Sequence, residues 1–244
     1  MKIFDKLRFG LRIPQILEGL DKNNKILQEL NWSNVFNNTI SDSEWFKNKS
    51  ISPGRSAVGY PLLYVLYRIL NDVKPLNILE FGLGQSTKML HQYGSWNENS
   101  QITTIEHSEE WSQLFNKNNK TPKNCKISLH ENEEISFNGK KTTSVKDLEK
   151  TTENKKYDFI IVDSPYGSQN YSRSQVLKLI EHNISRENFC IIMDDYNREG
   201  EKETCKELEK ELTANEIIFK KGIYSGEKEF AIYCSSNLWF LLTL

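Results

Sequence analysis

Strand-like and helix-like runs alternate along the middle of the chain, which then ends in two strand-like runs around a turn. That order predicts an α/β protein: a mostly parallel sheet with helices on both faces, followed by a C-terminal antiparallel hairpin. Two runs carry most of the weight. Tyr157–Asp163 and Phe189–Asp194 are almost wholly apolar up to a terminal acid, as strands buried on both faces must be.

The first 50 residues stand apart. Phe4, Leu7, Leu11, Ile16, Leu17, Leu20 and then Ile26, Leu27 and Leu30 recur at mostly helical spacing, and Pro14 interrupts them, so two short amphipathic helices are expected. Asn31–Asn48 is polar, with Trp32, Phe36, Trp45 and Phe46 set into it as anchors on the core; a substrate lid is the sharper alternative. We take 1–50 as a helical extension or cap and 51–244 as the main domain. Ser52-Pro53-Gly54 signals a turn, and a helix is expected over Ala57–Leu70. Strands follow at Asn77–Phe81, Gln101–Glu106 and Cys125–Leu129, with helices at Ser86–Tyr93 and Glu109–Asn118 between them. Glu131–Lys156 is polar and is expected to hold one short helix near Val145–Lys150. The fourth and fifth strands are the two apolar runs, with a helix over Ser174–Asn183 between them and a charged, solvent-facing helix over Glu199–Leu212 after them. Glu216–Tyr224 and Glu229–Ser235 flank Ser225-Gly226-Glu227-Lys228 as the hairpin. The apolar run Leu238–Leu244 reads as a packed terminal segment or an oligomer contact.

Composition narrows the function classes. The 244 residues carry 32 Lys+Arg and 33 Asp+Glu, a net charge of −1. Duplex nucleic-acid binders show a domain pI above roughly 9, so duplex nucleic acid is not an expected partner. Charges are scattered through 1–10, and no apolar run approaches the roughly 20 residues of a membrane span. Cys125, Cys190, Cys205 and Cys234 show no CxxC spacing and read as buried free thiols of a cytoplasmic protein.

The chemistry gathers at the strand ends. In open α/β sheets ligands sit beyond the carboxyl ends of the strands, where strand order reverses. The first strand runs into Glu80-Phe81-Gly82-Leu83-Gly84-Gln85-Ser86-Thr87. Its glycines allow a tight turn and close backbone approach, and the helix behind offers free N–H groups to an anion. The second strand ends in Glu106, 22 residues after Gly84, where a carboxylate can accept ribose hydroxyls. Thr87 stands where a nicotinamide fingerprint has its third glycine. The pattern favours a ligand with one nucleoside and one small carboxylate.

Glu80-Phe-Gly82-Leu-Gly84, Glu106, Tyr157–Asp163 and the terminal strand pair together resemble the class I S-adenosylmethionine-dependent methyltransferases, over about 76–236. The resemblance implies a Rossmann-like three-layer αβα sandwich whose seven-stranded sheet takes its last strand antiparallel. It implies S-adenosyl-L-methionine as cofactor, with Glu80 near its amino acid part, Gly82 and Gly84 under it, Glu106 on the ribose and adenine near His130 or Glu131. The cofactor-binding candidates are Glu80, Gly82, Gly84, Gln85, Ser86, Thr87, Glu106, His107 and Asp163; His107 also reads as an ordinary strand-end histidine.

Methyl transfer to oxygen requires an in-line arrangement and loss of a proton, hence a base or a metal. Asp163 ends the fourth strand, and Asp194 and Asp195 end the fifth. On neighbouring strands about 4.8 Å apart, two such carboxylates raise a pKa or recruit a cation. The set is similar to that of catechol-type O-methyltransferases that use Mg²⁺ or another divalent cation. Here, however, the pair is Asp-Asp, where that family has Asp-Asn, and Tyr166 stands where it often places a lysine. The alternative is that Asp163 acts alone while Asp194 and Asp195 cap the next helix. Asp163, Tyr166 and Arg173 are the catalytic candidates in the loop after the fourth strand; Arg173 reads equally as a structural partner of Asp195. Arg55 is a candidate for the cofactor carboxylate. The expected activity is O-methylation of a small molecule or saccharide, and a homo-oligomer is one expected assembly. The alternatives are an N-methyltransferase, although Asn-Pro-Pro-Tyr is absent and Asp163-Ser-Pro-Tyr166 only half-resembles it, or a nucleotide- or NAD-binding protein without methyl transfer.

Overall fold

The computed structural model describes the backbone of residues 3–54 and 56–244 and side chains from residue 13 on, so the Arg55 candidate lies outside the described residues. The strands are β1 (Asn77–Phe81), β2 (Gln101–Glu106), β3 (Cys125–Leu129), β4 (Asn132–Phe137), β5 (Lys140–Val145), β6 (Phe159–Val162), β7 (Cys190–Met193), β8 (Lys220–Ser225) and β9 (Glu229–Cys234). The helices are α1 (Ile3–Thr39), α2 (Tyr60–Arg68), α3 (Gln85–Trp96), α4 (Glu109–Asn118), α5 (Glu149–Thr152) and α6 (Glu199–Ala214).

Seven strands form one sheet in the order β3-β2-β1-β6-β7-β9-β8. All neighbours are parallel except β9, which lies antiparallel between β7 and β8. The expected architecture is therefore present, and strand order reverses between β1 and β6. Alternate residues of the central strands point to opposite faces. Ile78, Phe159, Ile161 and Ile192 join a core with α2, α3, Phe36, Trp45 and Phe46. Leu79, Phe81, Ile160, Val162 and Ile191 join the other, under α6 and a 3₁₀ turn at Ser174–Leu179. Asp158 fixes the entry of β1 by accepting from the backbone N–H of Leu76 and Asn77, both at 2.8 Å.

Several expectations are corrected. The N-terminal segment is one helix that continues through Pro14; proline removes one hydrogen bond and crowds the preceding turn, and the helix continues on both sides of it. The aromatics of 31–48 are anchors: Phe36, Trp45 and Phe46 are buried, and Trp45 stacks on Tyr67. Helix α2 begins three residues later than expected and passes into a π-helical turn, Ile69–Val73. The polar 131–156 segment holds the β4–β5 hairpin ahead of α5. β4 alternates between exposed and half-buried residues, and β5 buries mostly polar ones, Thr142 and Ser144, so apolar content did not signal it; Asn138-Gly139, both left-handed at the turn, is the signal that did exist. Helix α6 buries Cys205, Leu208 and Leu212 and is amphipathic rather than wholly solvent-facing. The 238–244 run packs as a 3₁₀ turn with Leu238 and Leu241 buried. All four cysteines are free and buried. Among the described residues no helix is long and apolar enough to cross a membrane.

One close contact ties α6 to the loop after β6. A side chain at Gly200 would collide with the Ser168 carbonyl oxygen and meet the Ser172 Cβ at 3.1 Å. Gly200→Ala is therefore expected to destabilise the protein by about 1–3 kcal/mol, the usual cost of overpacking, measured by urea unfolding. An unchanged midpoint would show that the two segments separate freely.

Candidate functional site

At the carboxyl ends of β1, β2, β6 and β7 lies a cavity of about 540 Å³. Gly82–Ser86, Glu106–Ser108 and Trp111 form one side; Asp163, Ser164, Tyr166, Arg173, Asp195, Arg198 and Lys228 form the other. It sits where strand order reverses, as the fold rule requires.

The β1–α3 loop is built around two buried acids. Glu80 is fully buried and accepts from Ser86 Oγ at 2.6 Å, Thr87 Oγ1 at 2.7 Å and Thr104 Oγ1 at 2.9 Å. Thr87 in turn accepts from the Gly84 N–H at 2.9 Å. Glu80 and Thr87 thus stand behind the loop and do not line the cavity. Glu106, also buried, accepts from the N–H of Leu83 at 3.1 Å, His107 at 2.7 Å and Ser108 at 2.8 Å. A carboxylate has about four lone-pair sites, so about one remains for a ligand. His107 is half-exposed beside it, with Nδ1 at 3.0 Å from Glu106. Gly82 takes φ +104°, and a side chain there would crowd Ser164 at 3.1 Å. Gly84 differs: a side chain there would meet no protein atom within 4 Å, so its bare backbone faces the open cavity. Gln85 lines the cavity and accepts from the Ser52 N–H at 3.1 Å. His130 is turned to Thr151 and the Lys146 carbonyl, and neither it nor Glu131 lines the cavity.

The loop after β6 is built around Arg173, which is buried. Its Nη2 donates to Asp163 at 3.2 Å and Asp195 at 2.7 Å; its Nη1 donates to the carbonyls of Asp194 at 2.8 Å and Val162 at 3.3 Å. Arg198 reaches Asp195 at 2.9 Å, and Lys228 reaches it at 3.4 Å. Burial and the Asp194 carboxylate push Asp163 well above the usual carboxylate range, and burial and Asp195 raise Asp194. Against its own burial, Arg173, Lys228 and Arg198 hold Asp195 low. Tyr166 is 87% exposed at the cavity mouth.

Asp163, Asp194 and Asp195 do converge, with ligand atoms within 4.8 Å of one another. They do not fit a divalent cation, because the position between Asp163 and Asp195 is filled by a guanidinium and two further cations lie within 4 Å. The cavity does fit a nucleoside-bearing ligand: Gly84 leaves room for close approach, and Glu106 keeps an acceptor facing it. Arg198, Lys228 and Trp111 were not among the sequence candidates. Arg198 follows Asp195 by three residues, a spacing that signals a helix-start ion pair; Lys228 sits in the hairpin turn, and nothing in its neighbours marks it. Trp111 reads as a helix-core residue, yet it is 41% exposed, with Nε1 donating to the Leu83 carbonyl at 2.7 Å.

Burial raises Glu80 to about 7 from 4.5, against its three hydroxyl donors and with a further push from Glu106. Between those values the folded state binds more protons than the unfolded chain, so this group's contribution to stability falls as pH rises through that window. The difference corresponds to about 3 kcal/mol. Urea unfolding of the wild type and Glu80→Gln is expected to show the wild type losing about that much relative to the variant between pH 4.5 and 8. A pH-independent gap would contradict it.

No protein-family model matches the sequence, and no curated protein does. Solved structures match the fold. A Staphylococcus aureus protein provisionally named a caffeoyl-CoA O-methyltransferase aligns over 86% of this chain and 100% of its own, at 14% identity and a TM-score of 0.54. An O-methyltransferase from Bacillus cereus, solved in complex with SAH, aligns over 86% and 90%, at 16% identity and 0.50. A Klebsiella pneumoniae protein provisionally named an O-methyltransferase aligns over 85% and 98%, at 12% identity and 0.52. The fold of this chain is that of the class I methyltransferases.

Proposed function

We propose that the protein is an S-adenosylmethionine-dependent methyltransferase that transfers the methyl group to an oxygen of a small molecule or saccharide, without a divalent cation. The observation that carries the reading is the cavity at the β1–β6 reversal, with a bare Gly84 on one wall and a raised Asp163 on the other. The O-methyltransferase names of the structural neighbours and the SAH in the Bacillus cereus complex agree with it.

When bound, S-adenosylmethionine supplies an electrophilic sulfonium methyl. Gly82 to Ser86 and the first N–H groups of α3 would hold its amino acid part. Glu106 would accept a ribose hydroxyl on its remaining lone pair. Trp111 offers an apolar face beside it. Asp163, on the cavity wall beside Asp194 and 3.2 Å from Arg173, would accept the proton of the acceptor hydroxyl. Arg173 holds Asp163 in place. Tyr166, Arg198 and Lys228 at the mouth favour a hydroxylated or anionic acceptor small enough for the cavity, rather than a nucleic acid. Four buried free thiols suit a cytoplasmic setting.

Calorimetry separates the roles. SAH is expected to bind and NAD not to; tight NAD binding with no response to SAH would sink the reading. Glu106→Ala is expected to weaken SAH binding by about 1–3 kcal/mol, a lost charged hydrogen bond. Asp163→Asn is expected to keep SAH binding and lose methyl transfer to phenolic and saccharide acceptors; equal loss of binding in both variants would contradict this division. Transfer is also expected to survive dialysis against EDTA and to gain nothing from added Mg²⁺. A large loss restored by Mg²⁺ would show that the cation displaces Arg173.

A further inference from the structure

Helix α2 begins at the edge of the cavity without a cap of its own. Its N-cap residue is Gly59, which has no side chain to offer, and Pro61 stands in its first turn. The first N–H groups of a helix need an acceptor from outside, and a carboxylate also suits the positive end of the helix dipole. Glu29 of α1 supplies one from another part of the chain: its Oε1 accepts from the Tyr60 N–H at 2.6 Å. Its Oε2 accepts from the Glu227 N–H at 3.0 Å, in the turn between β8 and β9. Two buried glycines leave room for that carboxylate. A side chain at Gly59 would meet Oε1 at 3.0 Å, and one at Gly226 would collide with Oε2. Trp32, three residues further along α1, donates from Nε1 to the Ser225 carbonyl at 2.9 Å, and its ring packs against Tyr64 of α2 and Tyr224 of β8.

Both segments held by Glu29 run directly into the cavity wall. Ser56, Ala57 and Val58 precede Tyr60, Lys228 follows Glu227, and all four line the cavity. There Lys228 Nζ donates to the Ala57 carbonyl at 3.1 Å and reaches Asp195 at 3.4 Å, so the same two segments meet again on the ligand side. Glu29 itself does not line the cavity; it acts through the segments it holds. A wall made of two loops costs affinity when its parts must be ordered on binding, and holding them beforehand removes that cost.

We infer that Glu29 is a positioning residue of the ligand site, through which the N-terminal helix caps α2 and holds the 56–60 and 225–228 segments together as one wall of the cavity. The inference rests on the reading of the cavity as the S-adenosylmethionine site, and two measurements on the full chain keep the two apart. In calorimetry, Glu29→Ala is expected to raise the Kd for SAH about fivefold, the scale of a lost helix cap. In hydrogen exchange without ligand, the same variant is expected to lose protection at the Ala57, Tyr60 and Glu227 amides. Glu29→Gln, which keeps the shape and one acceptor oxygen, is expected to fall between the two. Glu18→Ala makes the same charge change on an exposed stretch of α1 and is expected to leave both readouts at the wild-type level; an equal rise in Kd there would assign the effect to net charge and overturn the inference. Faster exchange in Glu29→Ala with an unchanged Kd would reduce Glu29 to a structural cap and overturn it as well. If the wild type binds no SAH, the cofactor reading fails, while the clasp stands or falls on exchange alone: unchanged protection in Glu29→Ala overturns it. If Glu29→Ala does not fold, Trp32→Phe, which removes only the bond to the Ser225 carbonyl, is expected to raise the Kd for SAH, and an unchanged Kd would overturn the inference.

Discussion

The guanidinium of Arg173 holds the site together. It spans two neighbouring strand ends, bonding the carbonyls of Val162 and Asp194 with one nitrogen and the side chains of Asp163 and Asp195 with the other. Without it, the buried carboxylates of Asp194 and Asp195 and the half-buried one of Asp163 would face each other. Removing one partner of a buried ion pair costs about 3–5 kcal/mol because the remaining charge is stranded. The backbone depends on the same contact. Arg173 and Asp195 both take left-handed conformations, with φ of 64° and 57°. Such geometry costs about 1–3 kcal/mol per residue and persists only where the surroundings determine it.

The opposite wall uses anions in the reverse sense. Among the described residues no Lys or Arg pairs with buried Glu80 or Glu106, and hydroxyl or backbone N–H donors satisfy them. They give the β1–α3 loop its shape from behind and from the side, so a ligand meets a loop already in place. Each wall of the cavity is thus bonded internally, one by neutral donors around carboxylates and the other by ion pairs. Tyr166 is the most exposed of the large side chains that line it.

Most of this framework was legible in the sequence because it rests on period and punctuation. Buried parallel strands require apolar runs, and Phe159–Val162 and Cys190–Met193 are such runs. Gly82 and Gly84 after β1, and Glu106 after β2, sit where loop geometry and strand ends must place them. What was not legible depends on three-dimensional neighbours. The acids at the strand ends suggested a divalent-cation site, because Arg198 and Lys228 lie far from Asp163 in sequence and only folding brings them in. The role of Glu80 was misjudged for the same reason: Ser86, Thr87 and Thr104 surround it, and the last comes from another strand. The β4–β5 hairpin was hidden because its few apolar residues, Ile135, Phe137 and Val145, are set in a largely polar stretch. Pro14 suggested a break, yet a helix can continue through one missing hydrogen bond.

The placement of β9 between β7 and β8 has a consequence for the order of assembly. Strand β7 is completed at residue 193, but its far edge stays unpaired until residues 229–234 arrive. During synthesis the chain therefore presents Cys190, Ile191 and Ile192 on an open strand edge while β8, whose partner β9 is still to come, is being made. The turn before β9 carries Lys228, the contact to Asp195. A nascent chain can hold the glycine loop, Glu106 and Asp163 in a half-sheet, but the last wall of the cavity comes only with the final hairpin, so ligand competence arrives at the end of folding rather than growing with it.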